Sequence, residues 1–325
     1  MVAISVVLCT YNRCESLATA LQSAAALETP PASLLEVLVV DNNSRDRTRE
    51  VVEDFVRMHP GRFRYIFEQR QGLANARNAG IRQARGEIIV FMDDDVSVDP
   101  EWVKVLTARL RTGEWAGAGG RIVPERKFSP PSWLSIKNLG GVLALFDLGD
   151  QPGELRQSPY GANMAYRREV FEKHGGFRAD LGRIGKNLLS GEDTEFGGRL
   201  LAAGERLWYE PSAVVFHSMQ EDRLKKKYFL DWWFAYGRTL VRQDGKRPAI
   251  MGIPRGYFSM ARLAVRLATN TVHWAFAVRP DNRFFRKVIV WMTAGQIAEC
   301  FDLWFRSHKN SSGDGALGAQ SLSRS

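Results

Sequence analysis

Residues 88–95 read IIVFMDDD: five apolar residues, then three carboxylates. A continuous apolar run of this length predicts a strand covered on both faces. Three consecutive acids repel one another, so each needs water, a donor or a cation. In an open parallel sheet the carboxyl ends of the strands face a ligand crevice. Placing Asp93, Asp94 and Asp95 at such an end gives the acids a reason to be there. A solvated turn before the next helix is the plain alternative, but Asp99 and Pro100 already supply a cap and first turn.

The pattern around this strand supports a parallel sheet. AISVVLC (3–9) and LLEVLVVD (34–41) are two more runs suited to burial, and RFRYIFE (62–68) alternates. Helical spacing fills the intervals: Leu17, Leu21, Ala24 and Leu27 share one face, 46–58 is amphipathic, and GLANARNAGIRQAR (72–85) carries a stripe of Leu73, Ala76, Gly80 and Ala84. Asn12 with Glu15, and Ser190 with Asp193, fit capping boxes. Strands alternating with helices over short connections predict an α/β fold. The stretch 113–160 is rich in Gly and Pro and predicts loops with an irregular strand pair. GANMAYRREVFEKHGGF (161–177) reads as a strand running into a helix, 190–204 as a helix, and 206–218 as two short strands around Pro211. Beyond 219 come three helices dense in aromatics, Arg and Lys, then a polar tail. The predicted organisation is an α/β domain over 1–218, a helical region over 219–308 and a disordered tail over 309–325.

The chain has 325 residues, 45% of them hydrophobic and 25% charged, the composition of an ordinary globular protein. Its three cysteines, Cys9, Cys14 and Cys300, have neither zinc nor disulfide spacing, which fits reduced thiols in the cytoplasm. A net charge of +9 favours anionic partners without choosing among them. No run of about 20 uninterrupted apolar residues suggests a membrane span. GxGxxG after the first strand, GxxxxGK[ST] and GxSxG are all missing, which counts against a Rossmann dehydrogenase, a P-loop enzyme and an α/β-hydrolase.

Strand ends and helix starts supply the candidate site residues. The three Asp residues suit Mg²⁺ or Mn²⁺ bound with substrate phosphates. Asp41 ends the second strand and is a candidate for reading a base or ribose; Thr10, Tyr11 and Arg13 are candidates for a nucleotide floor. Arg70 and Arg77 are candidates to neutralise a diphosphate, with a solvated basic face as the alternative. Glu192 and Asp193 open a helix, where acids also complement the dipole, so a general-base role competes with a structural one. His217 ends a strand and could join an Asp at a metal.

VVLCTYNR (6–13), LEVLVVDNNSRDRT (35–48), GLANARNAGIRQARGEIIVFMDDDV (72–96) and GEDTEFGGRLLAAG (191–204) followed by VVFH (214–217) occur in that order. Together they resemble bacterial family 2 glycosyltransferases of the GT-A fold, over residues 1 to about 218. The resemblance implies a Rossmann-like, mostly parallel sheet flanked by helices, with the C-terminal helices as an extension. It implies inverting transfer of a sugar from a nucleotide-sugar donor, UDP-linked by default, with a divalent metal, Mn²⁺ or Mg²⁺. Thr10, Tyr11, Arg13 and Asp41 match nucleotide-holding positions. Asp93 and Asp95 match the outer members of the DxD motif, with Asp95 the better candidate for metal contact; Asp94 is an extra acid between them. Gly161, Ala162 and Asn163 match a stretch lining the sugar and acceptor pocket. Asp193 matches the base of the ED motif, with Glu192 as its understudy, and His217 matches a metal ligand of some relatives.

The implied partners are the donor and a glycan or lipid-linked acceptor, as in cell-surface polysaccharide assembly, with no nucleic acid. Arg223, Lys225–Lys227 and the aromatics Tyr228, Phe229, Trp232, Trp233 and Phe234 are candidates to rest on anionic lipid at the inner face of the cell membrane; packing inside the protein or on a second subunit of a homo-oligomer is the alternative. Two other functional classes are a non-catalytic sugar-nucleotide or glycan-binding subunit, which should have lost the DDD or ED acids, and a sugar-phosphate nucleotidyltransferase, which should carry a Gly-rich basic loop where this chain has CTYNR.

Overall fold

A computed structural model describes residues 2–30, 33–185, 187–244 and 255–313. In chain order the elements are β1 Val2–Thr10, α1 Cys14–Ala25, β2 Ser33–Asp41, α2 Thr48–Met58, β3 Phe63–Phe67, α3 Leu73–Gln83, β4 Ile88–Asp93, β5 Val96–Val98, α4 Trp102–Thr107, β6 Gly117–Pro124, α5 Ile136–Leu139, β7 Gly153–Leu155, β8 Met164–Arg167, α6 Arg168–His174, α7 Glu192–Ala202, β9 Leu207–His217, α8 Lys226–Asp244, α9 Arg255–Ala275 and α10 Pro280–Gly313.

One nine-stranded sheet runs in the order β3-β2-β1-β4-β8-β6-β9-β5, with β7 beside β9. The first four strands are parallel, as their apolar runs predict. Antiparallel β8 joins β4 to β6, and β6 runs parallel to β9. Ile4, Val6, Val7 and Leu8 of β1 and Ile88, Ile89 and Val90 of β4 are buried, which is why both strands read as unbroken apolar sequence. The small-residue stripe of α3 has the predicted use. A Cβ at Gly80 would come within 2.4 Å of Val7 Cγ1, so only glycine lets the helix lie this close to β1.

Several local expectations change. Residues 207–217 form one strand rather than two. Pro211 is accommodated by a register break against β6 between Gly120 and Arg121, a bulge that spares the ladder a missing N–H. Asn12 does not cap α1: Asp46 accepts from the Cys14 N–H, while Asn12 accepts from the Arg45 N–H and takes a positive φ. Ser190 and Asp193 do not box the start of α7, whose preceding residue is Gly191 in the left-handed region with no side-chain cap. Cys9, Cys14 and Cys300 are free thiols.

The chain divides into two units. The first comprises Met1–Pro131 and Ser135–Lys225; the second comprises Ser132–Leu134 and Lys226–Ser325. The boundary lies after Lys225 rather than 218, because the turn at Glu221–Leu224 is tied by Arg223 into the first unit. In the second unit α8, α9 and α10 pack together; Trp133 sits against Phe229 and Phe284, and Arg238 and Arg242 converge on buried Glu299. Of the basic and aromatic run expected to meet lipid, Lys225, Lys226 and Lys227 are exposed. Arg223 and Phe229 are buried, Lys226 lies over the rings of Trp133 and Phe284, and Trp232, Trp233 and Phe234 are part-buried. Of the expected tail, 309–313 continue α10 and 314–325 lie outside the described residues. Among the described residues no helix is long and apolar enough to cross a membrane.

Candidate active site

The parallel register brings the strand ends together: Thr10 stands opposite Asp41, and Cys9 opposite Asp93. Below that rim, Thr10 Oγ1 donates to Asp94 Oδ2 at 2.8 Å and Arg13 Nη1 donates to Asp94 Oδ1 at 3.0 Å. Asp94 is therefore built into the floor. Burial, with Asp95 beside it and against the pull of Arg13, pushes its carboxyl up to about 6.

Asp95 sits among cations. Arg13 Nη1 and Arg223 Nη2 each donate to Oδ2 at 2.8 Å, and His217 Nε2 lies 3.5 Å from Oδ1. Burial alone would raise the Asp95 carboxyl; His217, Arg223 and Arg13 outweigh it and hold it well below the usual carboxylate range. Arg223 Nη1 is 3.1 Å from His217 Nε2. A guanidinium has no lone pair, so the contact with Arg223 uses the Nε2 lone pair whereas the one with Asp95 uses an Nε2 proton; Nδ1 is buried without a hydrogen-bond partner among the described residues. In the first contact that pair is spent on Arg223, so His217 could join a cation only with Arg223 displaced from it. Two carboxylates and an imidazole are donors of the right type for Mn²⁺ or Mg²⁺. No three such side chains already converge as a cage among the described residues, and two guanidiniums neutralise Asp95 in its place.

The third acid opens a second network. Arg77, buried on α3, donates from Nη2 to Asp93 Oδ1 at 3.3 Å and from Nη1 to Glu192 Oε1 at 2.6 Å. Glu192 is buried as well; burial and its neighbour Asp193 push its carboxyl up to about 7 despite Arg77. Gly161 closes this corner. Its N–H donates to Asp193 Oδ2 at 2.8 Å, and a Cβ on it would lie 2.1 Å from Arg77 Nη2. Asp193 is part-buried at the start of α7, oriented by Gly161 and by the Thr194 N–H on Oδ1.

On the β2 side, Tyr65 Oη donates to Asp41 Oδ2 at 2.8 Å and the Ser44 N–H donates to Oδ1. Asp41, Ser44, Arg49, Tyr65 and Phe67 line an open depression of about 460 Å³. Asn42 pins the loop leading to α3, donating to the carbonyls of Glu68 and Arg70 and accepting from the Gly72 N–H. Tyr11 stands half-buried in the bend after β1.

Not every candidate faces this space. Asn163 is fully buried, with its amide committed to Trp102 Nε1 and to the carbonyls of Arg121 and Ala213; it ties strands together. Ala162 is buried beside it, and Arg70 is largely exposed and paired with Glu68. Sequence reasoning missed two residues. Tyr65 was legible in principle, since it lies two residues before the partner of Asp41 on the adjacent strand. Arg223 was not, because it opens a basic run that reads as solvated.

A family model described as Glycosyl transferase family 2 matches residues 5–175. The chain is 30% identical over 240 residues to the succinoglycan biosynthesis protein ExoM of Rhizobium meliloti, covering 73% of each chain. It is 29% identical over 256 residues to a glucosyl-dolichyl phosphate glucuronosyltransferase of Haloferax volcanii, covering 73% of this chain and 77% of that one. Among solved structures it resembles the mannosyltransferase PcManGT of Pyrobaculum calidifontis, in complex with GDP-Man and Mn²⁺, with a TM-score of 0.62 at 19% identity over 92% of this chain and 87% of that one. It also resembles GalNAc-T7 with UDP, GalNAc and Mn²⁺, with a TM-score of 0.55 at 18% identity over 77% of this chain and 53% of that one. At these identities the structural likenesses speak for the fold, which is GT-A.

Proposed function

The chain belongs to glycosyl transferase family 2, and from that premise we propose that it moves a sugar from a nucleoside-diphosphate-sugar to a hydroxyl acceptor with inversion at the anomeric carbon. The observation that carries this reading is the meeting of Thr10, Asp41 and Asp93 at one rim of the sheet, joined through Arg77 to the Glu192–Asp193 pair on α7. A site with a nucleotide end and a proton-accepting end within one cleft is what such a transfer requires.

The roles divide along the cleft. Asp41, held by Tyr65, offers acceptor oxygens to a base or ribose at the edge of the depression. Thr10 and Arg13 hold the floor through Asp94. Asp93, Asp95 and His217 are the residues that would hold a divalent cation, Mn²⁺ or Mg²⁺, and when bound it would stabilise charge on the leaving diphosphate. Arg77 keeps Asp93 and Glu192 in place. Asp193 accepts the acceptor's hydroxyl proton; that oxygen forms the new bond to the anomeric carbon as the bond to the diphosphate breaks on the opposite face. Glu192, buried against Arg77, positions the start of α7 rather than sharing the base role.

The donor is a UDP-sugar by default and the acceptor a glycan or lipid-linked saccharide at the inner face of the cell membrane; the similarity to ExoM, a succinoglycan biosynthesis protein, supports polysaccharide assembly. Incubation with a panel of nucleotide sugars and Mn²⁺ tests the reading. Release of free nucleoside diphosphate is the expected product. In a parallel incubation with nucleoside triphosphates and sugar 1-phosphates, release of pyrophosphate would identify a nucleotidyltransferase, and no turnover in either incubation would favour a binding subunit.

A further inference from the structure

We propose that the outward face of α9, with the turn after it, is a docking surface for an anionic lipid bilayer. α9 packs on α10 along one seam: Met260, Leu263, Leu267, Asn270 and Trp274 are its part-buried residues at helical spacing, and Trp274 meets Trp291 edge-on with Lys287 over both rings. The opposite face is open. Ala261, Val265, Ala268, Val272 and Phe276 recur there at i, i+4, i+7, i+11 and i+15, all exposed. Val265 is 64% and Val272 54% exposed, and at the turn Phe276 and Val278 reach 82% and 92%. Val278, Phe276 and Val265 are the most exposed large hydrophobic residues among those described.

Charge selects the occupant. From Arg255 to Lys287 the sequence carries seven basic residues and one acidic residue, Asp281. Arg262 and Arg266 lie one position along from Ala261 and Val265, beside the apolar stripe, and have no acidic partner among the described residues. A helix about 31 Å long with an apolar stripe flanked by arginines suits the boundary between headgroups and acyl chains, where the stripe leaves water and the guanidiniums meet phosphates. A second copy fits worse, because two-fold pairing of this face would oppose the same arginines. Nucleic acid would use the charge but not the stripe.

The surface is independent of the catalytic reading, and its test does not use transfer. The full chain is sedimented with vesicles of phosphatidylcholine alone and with about 30 mol% phosphatidylglycerol, at low and high salt. The wild type binds the anionic vesicles and is released only in part by salt. Arg262→Glu with Arg266→Glu weakens binding by more than about tenfold, since each basic residue near such a surface contributes roughly fivefold. Val272→Ser with Phe276→Ser also weakens binding, and the remainder becomes fully salt-sensitive. Both variants melt like the wild type, because the altered side chains are exposed. Wild-type binding unchanged by either pair overturns the proposal. So does a failure of the wild type to bind, a dimer that the same substitutions dissociate, or tighter binding to a single-stranded oligonucleotide than to the vesicles.

Discussion

Arg223 Nη2 donates to Asp95 Oδ2 at 2.8 Å, across 128 residues of chain, while its Nη1 reaches His217. One guanidinium thus holds two of the three residues proposed to carry the cation. Both neighbours are buried, so removing it leaves Asp95 with Arg13 and the longer contact to His217. Arg223→Ala is expected to lower kcat/KM for the donor by about 10- to 100-fold, the scale of losing a buried charge-assisted pair. Arg223→Lys keeps one of the two contacts and recovers only part of the loss. If a cation competes with this guanidinium for Asp95, donor-free Arg223→Ala binds Mn²⁺ more tightly than the wild type in calorimetric titration. Equal affinity would remove Asp95 from the metal assignment.

Gly161 touches both halves of the site. A methyl group there meets Arg77 Nη2 at 2.1 Å and must push the guanidinium off Asp93 and Glu192. Gly161→Ala is expected to cost about 1–3 kcal/mol of stability, as overpacking does, and to impair turnover more than donor binding. A variant that melts and turns over like the wild type would show that Arg77 has room the structure does not indicate.

Glu192 makes a prediction about pH. Its carboxyl, pushed up to about 7 from an ordinary 4.5 by burial and by Asp193, holds its proton more tightly folded than unfolded. Its stabilising contribution is therefore complete below about pH 4.5 and lost as pH rises to about 7. Denaturant titrations of the wild type and Glu192→Gln should show the wild type losing its relative advantage over that window. A relative advantage that instead grows with pH would mean that the ionised pair with Arg77 dominates.

The strands were legible because parallel strands covered on both faces leave unbroken apolar runs, as in β1, β2 and β4. The rim of the site was legible because its residues, Thr10, Asp41 and Asp93, stand at the carboxyl ends of those runs. The hidden part was decided by tertiary partners. Asp94 and Asp95 look alike in sequence, yet Thr10 draws one into the floor and Arg223 claims the other. Asn163 sits in a stretch resembling a pocket lining, but a bulge in the sheet offers it the Ala213 carbonyl. Arg223 begins a run of lysines that belongs on a surface by composition; a single turn of helix at Glu221–Leu224 turns it inward while Lys225, Lys226 and Lys227 stay exposed.

The proton acceptor is the part of the account most open to a direct measurement. Gly161 and Thr194 orient the Asp193 carboxylate through backbone N–H groups, one on each oxygen, and an amide oxygen at this position keeps one of the two. Asp193→Asn should therefore keep the donor dissociation constant while nucleoside-diphosphate release during transfer slows by at least about 100-fold, the scale of general-base catalysis. Transfer by Asp193→Asn at close to the wild-type rate would contradict the account.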